Sequence, residues 1–144
     1  MSRLYFLRKL RSFNVCSKML DMFFQSVVAS ILFFAVVCWG SSIRASDTNR
    51  LNKLIRKAGS VIGCKQDTVE AVVERRTLTK LLSIMDNPDH PFHLTLDRQR
   101  SSFSNRLLQL RCRRDRLRKS FLPQAIALFN NSHLSDRDSH LSAV

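Results

Sequence analysis

The feature that most constrains the fold is an apolar run of 17 residues without a charge, at positions 23–39. Its polar members are Gln25, Ser26 and Ser30. The run is too long for a strand and predicts one helix that begins at Ser17 and stops at Gly40. Its second half is apolar on every side, so either other helices or lipid must cover it.

The composition favours helices for the rest of the chain. The 144 residues are 44% hydrophobic, with three Gly and three Pro, which disfavours a turn-rich β fold. The remaining segments carry apolar residues at helical spacing. The predicted fold is therefore all-α, a small helical bundle around one long apolar central helix, followed by a disordered C-terminal tail.

Three regions are predicted along the chain: residues 1–63, residues 64–130 with a basic helical character, and a flexible tail at 131–144. In the first region, an amphipathic helix over residues 2–13 precedes the central helix. A later helix ends at Gly63, and its apolar stripe comprises Leu51, Leu54, Ile55, Ala58 and Ile62. In the second region, Asp67 and Glu70 have capping-box spacing before a helix that runs to Met85. The apolar stripe of that helix shifts at Arg75 and Arg76, which predicts a kink or a break.

The net charge of +13 predicts a negatively charged partner. Nucleic acid is the favoured partner, with RNA or DNA bound through the phosphate backbone. An anionic membrane surface and an acidic protein are the alternatives. The phenylalanines and the tryptophan mostly follow the apolar core pattern, so little base stacking is expected. The first set of candidate phosphate contacts is Arg50, Lys53, Arg56 and Lys57. A helix is predicted to start at residues 107–110, and a denser basic segment follows it. The candidate contacts of that segment are Arg111, Arg113, Arg114, Arg116, Arg118 and Lys119.

No catalytic, cofactor or metal site is predicted. The chain has no glycine-rich phosphate loop and no G-x-S-x-G motif, and its eleven acids are scattered. His90 and His93 have ligand-like spacing, but no second Cys or His pair stands at zinc-finger distance. Surface or capping histidines are the favoured interpretation, and metal binding is the alternative. We therefore expect a protein that is not an enzyme.

Much of the chain resembles one region of vertebrate LINE-type (non-LTR) retrotransposon polyproteins. The segments that carry the resemblance are SRLYFLRKLRSFNVC, SVVASILFFAVVCWG, LNKLIRKAGSVIGC, and RSSFSNRLL followed by SFLPQAIALFN. They are similar to the thumb and the helices that follow the reverse transcriptase palm. The resemblance implies thumb-like helices in residues 1–63 that grip template and primer. It also implies palm and fingers domains of a parent polyprotein as missing partners.

The opening segment, residues 2–13, is also similar to a short N-terminal module named after the eighth AlkB homologue, a tRNA-modifying dioxygenase and methyltransferase. Those activities require an H-x-D…H iron site or a cofactor-binding α/β domain, and this sequence has neither. The resemblance therefore implies an AlkB-homologue-8 N-terminal-like protein without either activity.

A third interpretation treats residues 23–39 as the span of a small single-pass membrane protein. Seventeen residues rise about 25 Å as a helix, slightly less than the roughly 30 Å of a bilayer core.

The four cysteines stand alone, without a secreted disulfide pattern. The expected location is intracellular, in the nucleus or the cytoplasm, with the membrane as the alternative.

Overall fold

The structure is a computed structural model that describes the backbone of residues 2–104 and 106–141 and the side chains of residues 3–104 and 106–132. Over these residues the chain is mostly helical, and the extended pairing present is an isolated antiparallel bridge between Arg100 and Leu107. The all-α prediction is confirmed at this level. Two compact units are formed: unit 1 comprises Met1–Val36 and Ile43–Val72, and unit 2 comprises Val37–Ser42 and Val73–Val144.

The helices follow one another with short connections. A π-helical segment, Phe24–Ala29, lies between α2 and α3. In chain order the α-helices are α1 (Ser2–Ser12), α2 (Ser17–Phe23), α3 (Ser30–Leu32), α4 (Val36–Trp39), α5 (Ala45–Ile62), α6 (Val69–Met85), α7 (His93–Arg98), α8 (Asp115–Arg118) and α9 (Phe121–Leu141).

The prediction of one long apolar central helix is wrong. Helical structure that begins at Ser17 stops after Leu32, and α4 starts only at Val36. Phe33 leaves the helical region with φ −102° and ψ 16°, and Ala35 has a positive φ of 47°. A helix that is apolar all round needs neighbours all round, whereas Ile31 on this segment is exposed. Within the described part of the chain, no helix is both long and apolar enough to cross a bilayer.

The core of unit 1 forms where α1 and α2 pack on α5. Ile55, Ala58 and Ile62 of α5 are fully or almost fully buried, as are Leu7 of α1 and Leu20 of α2. The apolar stripe predicted for this helix therefore faces inward, with Leu51 and Leu54 half-buried at its edge. Gly63 ends α5 with φ 89°, and its N–H donates to the carbonyl of Gly59 at 2.8 Å. This is the left-handed stop that glycine provides at little cost.

The start of α6 is capped mainly by a side chain of α5. The Asn52 Oδ1 accepts the N–H of Val69 at 2.9 Å, and its Nδ2 donates to both Glu70 carboxylate oxygens at 3.1 and 2.9 Å. The Thr68 hydroxyl accepts the N–H of Ala71 at 3.3 Å. The predicted capping box has Asp67 as the cap, whereas the capping hydroxyl belongs to Thr68, the next residue, which immediately precedes the helix. The Asn52 hydrogen bonds are the largest cause of a lowered pKa at Glu70, assisted by a backbone hydrogen bond and by Thr68.

The core of unit 2 joins α6, α7 and α9. Leu81 and Ile84 of α6, Leu96 of α7 and Ile126 of α9 are buried in one cluster, together with Leu107 from the connection between α7 and α8. Helix α6 runs without interruption through Arg75 and Arg76, so the predicted kink or break is not a helix boundary. The two arginines are exposed, and a continuous helix keeps Leu81 and Ile84 on one face at three-residue spacing.

The helix predicted to start at residues 107–110 is not formed. The N–H of Leu108 donates to the carbonyl of Gln99 at 2.7 Å, and the N–H of Ser101 donates to the carbonyl of Arg106 at 3.0 Å. The Asn130 side chain forms hydrogen bonds with both backbone groups of Leu107. Its Oδ1 accepts the N–H at 2.9 Å, and its Nδ2 donates to the carbonyl at 2.8 Å. The amide of Asn130 thus replaces a strand partner, and these backbone groups have no part in a helix.

Helix α9 continues to Leu141, ten residues past Asn131, the predicted start of the flexible tail. No glycine and no proline follows Pro123, so nothing in the backbone chemistry forces the helix to stop at that position. Residues 142–144 of the predicted tail lie outside the described residues.

The two hydrogen bonds between the Asn130 amide and the backbone of Leu107, which we call the Asn130 clamp, should be a major stabiliser of unit 2. Replacing Asn130 with Ala leaves a half-buried N–H and carbonyl of Leu107 without their partner, which we expect to lower the free energy of unfolding by about 1–3 kcal/mol. Chemical denaturation measures this value. Asn131→Ala, on the exposed neighbouring residue, is the matched control and should change stability by less than about 0.5 kcal/mol. Equal stability of the two variants would contradict the clamp.

The Asn52–Glu70 contact should make stability depend on acid. Because its folded-state pKa is lowered, Glu70 stabilises the fold above the ordinary value of 4.5, and this contribution is lost as the pH falls through the lowered pKa. Asn52→Ala should return the pKa of Glu70 toward 4.5, which a carbon-detected NMR titration measures. Loss of the cap should cost about 0.5–2 kcal/mol at neutral pH. Asn49→Ala, one turn earlier on α5, should change neither quantity, and an unshifted Glu70 pKa in Asn52→Ala would refute the assignment.

Candidate nucleic-acid interface

The first predicted basic set forms an exposed stripe on α5. Arg50, Lys53, Arg56 and Lys57 follow one another at short spacing, with three- and four-residue steps that place them on one side of the helix. All four side chains are exposed, and the buried Ile55 and Ala58 lie on the other side. Asp47 pairs with Arg50 at 3.6 Å, in a contact open to solvent. We call these four residues the α5 stripe.

A concave surface continues the α5 stripe beyond the end of the helix. A depression of about 460 Å³ is lined by Arg56, Lys65 and the polar side chains of Gln66 and Thr68, among others. The carbonyls at a helix C-terminus carry partial negative charge, so the attraction of this surface for an anion comes from its two cations rather than from the helix dipole. The predicted contacts do not include Lys65, because it follows Gly63 and lies outside every helical pattern.

The second predicted set is also exposed, but it does not form a basic helix. Residues 111–113 are irregular, and α8 is a single turn of four residues. Asp115 pairs with Arg118, and both side chains are largely open to solvent. The six exposed cations of this segment, which we call the 111–119 run, are Arg111, Arg113, Arg114, Arg116, Arg118 and Lys119.

Hydrogen bonds fix the 111–119 run at its C-terminal end. Gln124 Nε2 donates to the carbonyl of Arg118 at 2.9 Å, and the Ser41 hydroxyl donates to the carbonyl of Lys119. On the N-terminal side, the Asn130 clamp holds Leu107. The segment therefore carries six exposed cations within nine residues, which suits a phosphate chain better than a single point anion.

The structure brings the predicted residues together within each set. The α5 stripe belongs to unit 1, and the 111–119 run belongs to unit 2. Each is therefore a separate candidate surface on its own unit. Among the described residues, two of the ten predicted contacts form ion pairs: Arg50 pairs with Asp47, and Arg118 pairs with Asp115.

The expectation that phenylalanine follows the core pattern is wrong for half of these residues. Phe24, Phe33 and Phe129 are buried. Five of the ten phenylalanines are exposed, and so is the single tyrosine. The exposed aromatic residues are Tyr5, Phe6, Phe13, Phe34, Phe92 and Phe103. The signal was present in the sequence: once Leu4, Leu7 and Leu10 face inward, Tyr5 and Phe6 must lie on the remaining faces of α1.

His90 and His93 serve the local backbone. The Nδ1 of His90 accepts the N–H of Phe92 at 3.1 Å, and the Nδ1 of His93 lies 3.2 Å from the carbonyl of Ile84. Among the residues that the structure describes, no three His, Cys, Asp or Glu side chains are grouped as metal ligands would be.

Comparison with known families identifies one similarity, over the opening segment. Residues 2–30 match the family model described as "Alkylated DNA repair protein alkB homolog 8, N-terminal". This is about a fifth of the chain, and it covers α1, α2 and the π-helical segment and ends on the first residue of α3. No curated protein and no solved structure matches the chain. The AlkB-homologue-8 resemblance is thereby supported and extended beyond residue 13, whereas the retrotransposon resemblance gains no support.

Proposed function

We propose that this chain is a non-catalytic helical module, with an AlkB-homologue-8 N-terminal-like opening segment, that binds RNA or DNA through its phosphates. The observation that carries the proposal is the exposure of all ten predicted cations on two surfaces, with ion pairs at only Arg50 and Arg118 among the described residues. Cations that stabilise a fold internally are paired or partly buried. These side chains instead remain available to a polyanion.

The arithmetic of charge supports a polymeric partner over a small one. The chain carries 24 Lys and Arg against 11 Asp and Glu. A nucleic acid offers one phosphate at each short, regular step, and each neutralised phosphate releases condensed counterions into solution. A surface such as the 111–119 run gains from this release at several positions at once, whereas a single small anion engages only one or two guanidinium groups.

The matched family supports the same partner class. Its description names an alkylated-DNA repair protein, whose target is a nucleic acid. The similarity covers residues 2–30, and the sequence has no H-x-D motif at any of its four histidines. We therefore assign binding to this chain, without dioxygenase or methyltransferase activity.

The retrotransposon resemblance gives a finer form of the proposal. In that form the helices are a remnant of a reverse transcriptase thumb, and the preferred partner is a template–primer duplex with an RNA strand. The support for it is the resemblance of the sequence segments in order and spacing. A clear preference for an RNA–DNA hybrid over DNA duplex of equal length would favour this form.

The proposal predicts a steep dependence of binding on salt. For duplex DNA the slope of log K against log salt should be near −0.9 for each phosphate neutralised. With about five phosphates engaged, affinity should fall on the order of 500-fold between about 50 and 200 mM salt. Changing the six cations of the 111–119 run to Gln should flatten the slope by roughly 0.9 for each phosphate that is no longer neutralised. Fluorescence anisotropy with a labelled duplex gives both values.

A control separates local binding from net charge. It changes four exposed basic residues outside both surfaces to Gln: Lys18, Arg44, Lys80 and Arg98. For each charge removed, this control should flatten the slope less than the 111–119 variant does. An identical effect per charge would mean that the run is only a solvated surface. Binding to anionic vesicles together with no binding to RNA or DNA would refute the proposal in favour of a membrane partner.

A further inference from the structure

Helix α1 uses its aliphatic residues for the core and leaves its aromatic residues in solvent. Leu7 is fully buried, and Leu4 and Leu10 are half-buried. In contrast, Tyr5 is 56% exposed, Phe6 is 55% exposed and Phe13 is 75% exposed. Large aromatic side chains left in water over so short a segment indicate a surface that receives a partner.

The exposed aromatic side chains form one strip along the helix. Phe6, Lys9 and Phe13 are spaced by three and four residues, so they follow one another on the same face. The N–H of Phe13 donates to the carbonyl of Lys9 at 3.3 Å, which keeps Phe13 on the helical track just after the end of α1. Tyr5 stands beside Phe6, with 5.9 Å between ring centroids in an edge-to-face arrangement. We call Tyr5, Phe6, Lys9 and Phe13 the α1 strip.

The dimensions of the strip suit consecutive bases. Phe13 lies seven positions after Phe6, which corresponds to about 10 Å along a helix axis. Stacked bases of one strand are spaced by roughly 3.4 Å, so the distance between the two rings corresponds to about three stacking steps. The two rings can therefore hold the two ends of a short stack.

Positive charge lies along the same strip. Lys9 Nζ is 5.8 Å from the centroid of the Tyr5 ring, and Arg8 is exposed one turn along the helix from Tyr5. Helix α1 contains no acid, and neither of these two cations forms an ion pair among the described residues. The strip thus combines aromatic faces for bases with neighbouring cations that can contact the phosphate backbone.

We propose that the α1 strip binds single-stranded RNA or DNA by stacking unpaired bases on Phe6, Phe13 and Tyr5, while Arg8 and Lys9 contact the backbone. This inference rests on the proposed function and narrows its ligand to strands with unpaired bases at this surface. Every base has an aromatic face, so such stacking requires no particular sequence. Duplex DNA hides its base faces and can use only the cations of the strip.

The composition of the exposed face favours this ligand over a membrane. A helix that lies in a lipid interface buries one wide, continuous apolar face in the acyl chains. The leucine face of α1 is already used by the core of unit 1, and the outward strip is interrupted by Lys9 between its two phenylalanines. A strand of nucleic acid can use both features, because it presents base faces beside a charged phosphate backbone.

The decisive variants remove aromatic character and keep size and apolarity. Phe6→Leu and Phe13→Leu should each weaken binding to a labelled oligo(dT) on the order of tenfold, since stacking on an aromatic ring is worth about 1–3 kcal/mol per base. Binding to a duplex of the same length should stay within about twofold, because phosphate contacts dominate there. Phe6→Trp and Phe13→Trp should retain the wild-type affinity for single strands, because each keeps an aromatic ring at its position. Phe103→Leu, at a ring that is 98% exposed on unit 2, is the matched control and should leave both affinities unchanged.

A measurement on the unmodified protein gives a second readout. Tyr5 is the single tyrosine in the chain, so tyrosine-selective isotope labelling identifies its ring signals in an NMR spectrum. Titration with oligo(dT) should move them upfield through the ring currents of stacked bases, and titration with inorganic phosphate should not.

Three outcomes overturn this inference. They are equal single-strand affinity in the Leu variants and the wild type, an equal loss for single strands and duplex, and Tyr5 signals that stay still at saturating oligo(dT). In each of these cases the wild type still binds duplex with its salt slope, so the proposed function stands while the strip is excluded as a stacking site for single strands. Loss of all nucleic-acid binding by the wild type would refute both. Binding of the strip to anionic vesicles that persists in the Leu variants, with none to oligo(dT), would assign it to a membrane instead.

Discussion

The packing of α1 and α2 on α5 is the interaction on which unit 1 depends. It buries Leu7 and Leu20 against a face of α5 that contains Ile55, Ala58 and Ile62. Because a helix has only one face to bury in such a contact, the same packing decides what is left outside. The side chains left exposed on α5 include the α5 stripe, and those left exposed on α1 include the α1 strip. The candidate binding surfaces of unit 1 are therefore direct consequences of how its core is built.

In unit 2 the interaction on which the structure depends is polar: the contact between Asn130 and Leu107. The Asn130 amide satisfies both backbone groups of Leu107, so that leucine can enter the core from a segment that is neither helix nor sheet. The chain then leaves the core without regular structure and carries the 111–119 run at the surface. A continuous helix through these residues would have placed the arginines around a cylinder. The clamp instead allows an irregular segment whose cations are all exposed.

The sequence predicted local features well and their extent poorly. Periodicity located the buried face of α5 and the stop at Gly63, because both depend on nearest neighbours and on glycine chemistry. It failed at residues 33–35, since an apolar run predicts a helix equally well on both sides of a tertiary break. It failed at Leu107, where a side chain 23 residues away decides the backbone conformation. The basic residues were predictable as exposed, whereas the α1 strip required knowing which face of α1 is buried.

The two kinds of surface would contribute differently to selectivity. Phosphate contacts gain their free energy from released counterions, so they weaken as salt rises and attract nucleic acids and anionic lipids alike. Stacking on an aromatic ring depends little on salt and requires an accessible base face, which a lipid headgroup lacks. As ionic strength increases, the share of binding energy that comes from the α1 strip must therefore grow relative to the share from the α5 stripe and the 111–119 run. At the salt concentration of a cell, a few exposed rings in residues 5–13 would then decide which polyanion this strongly basic chain retains.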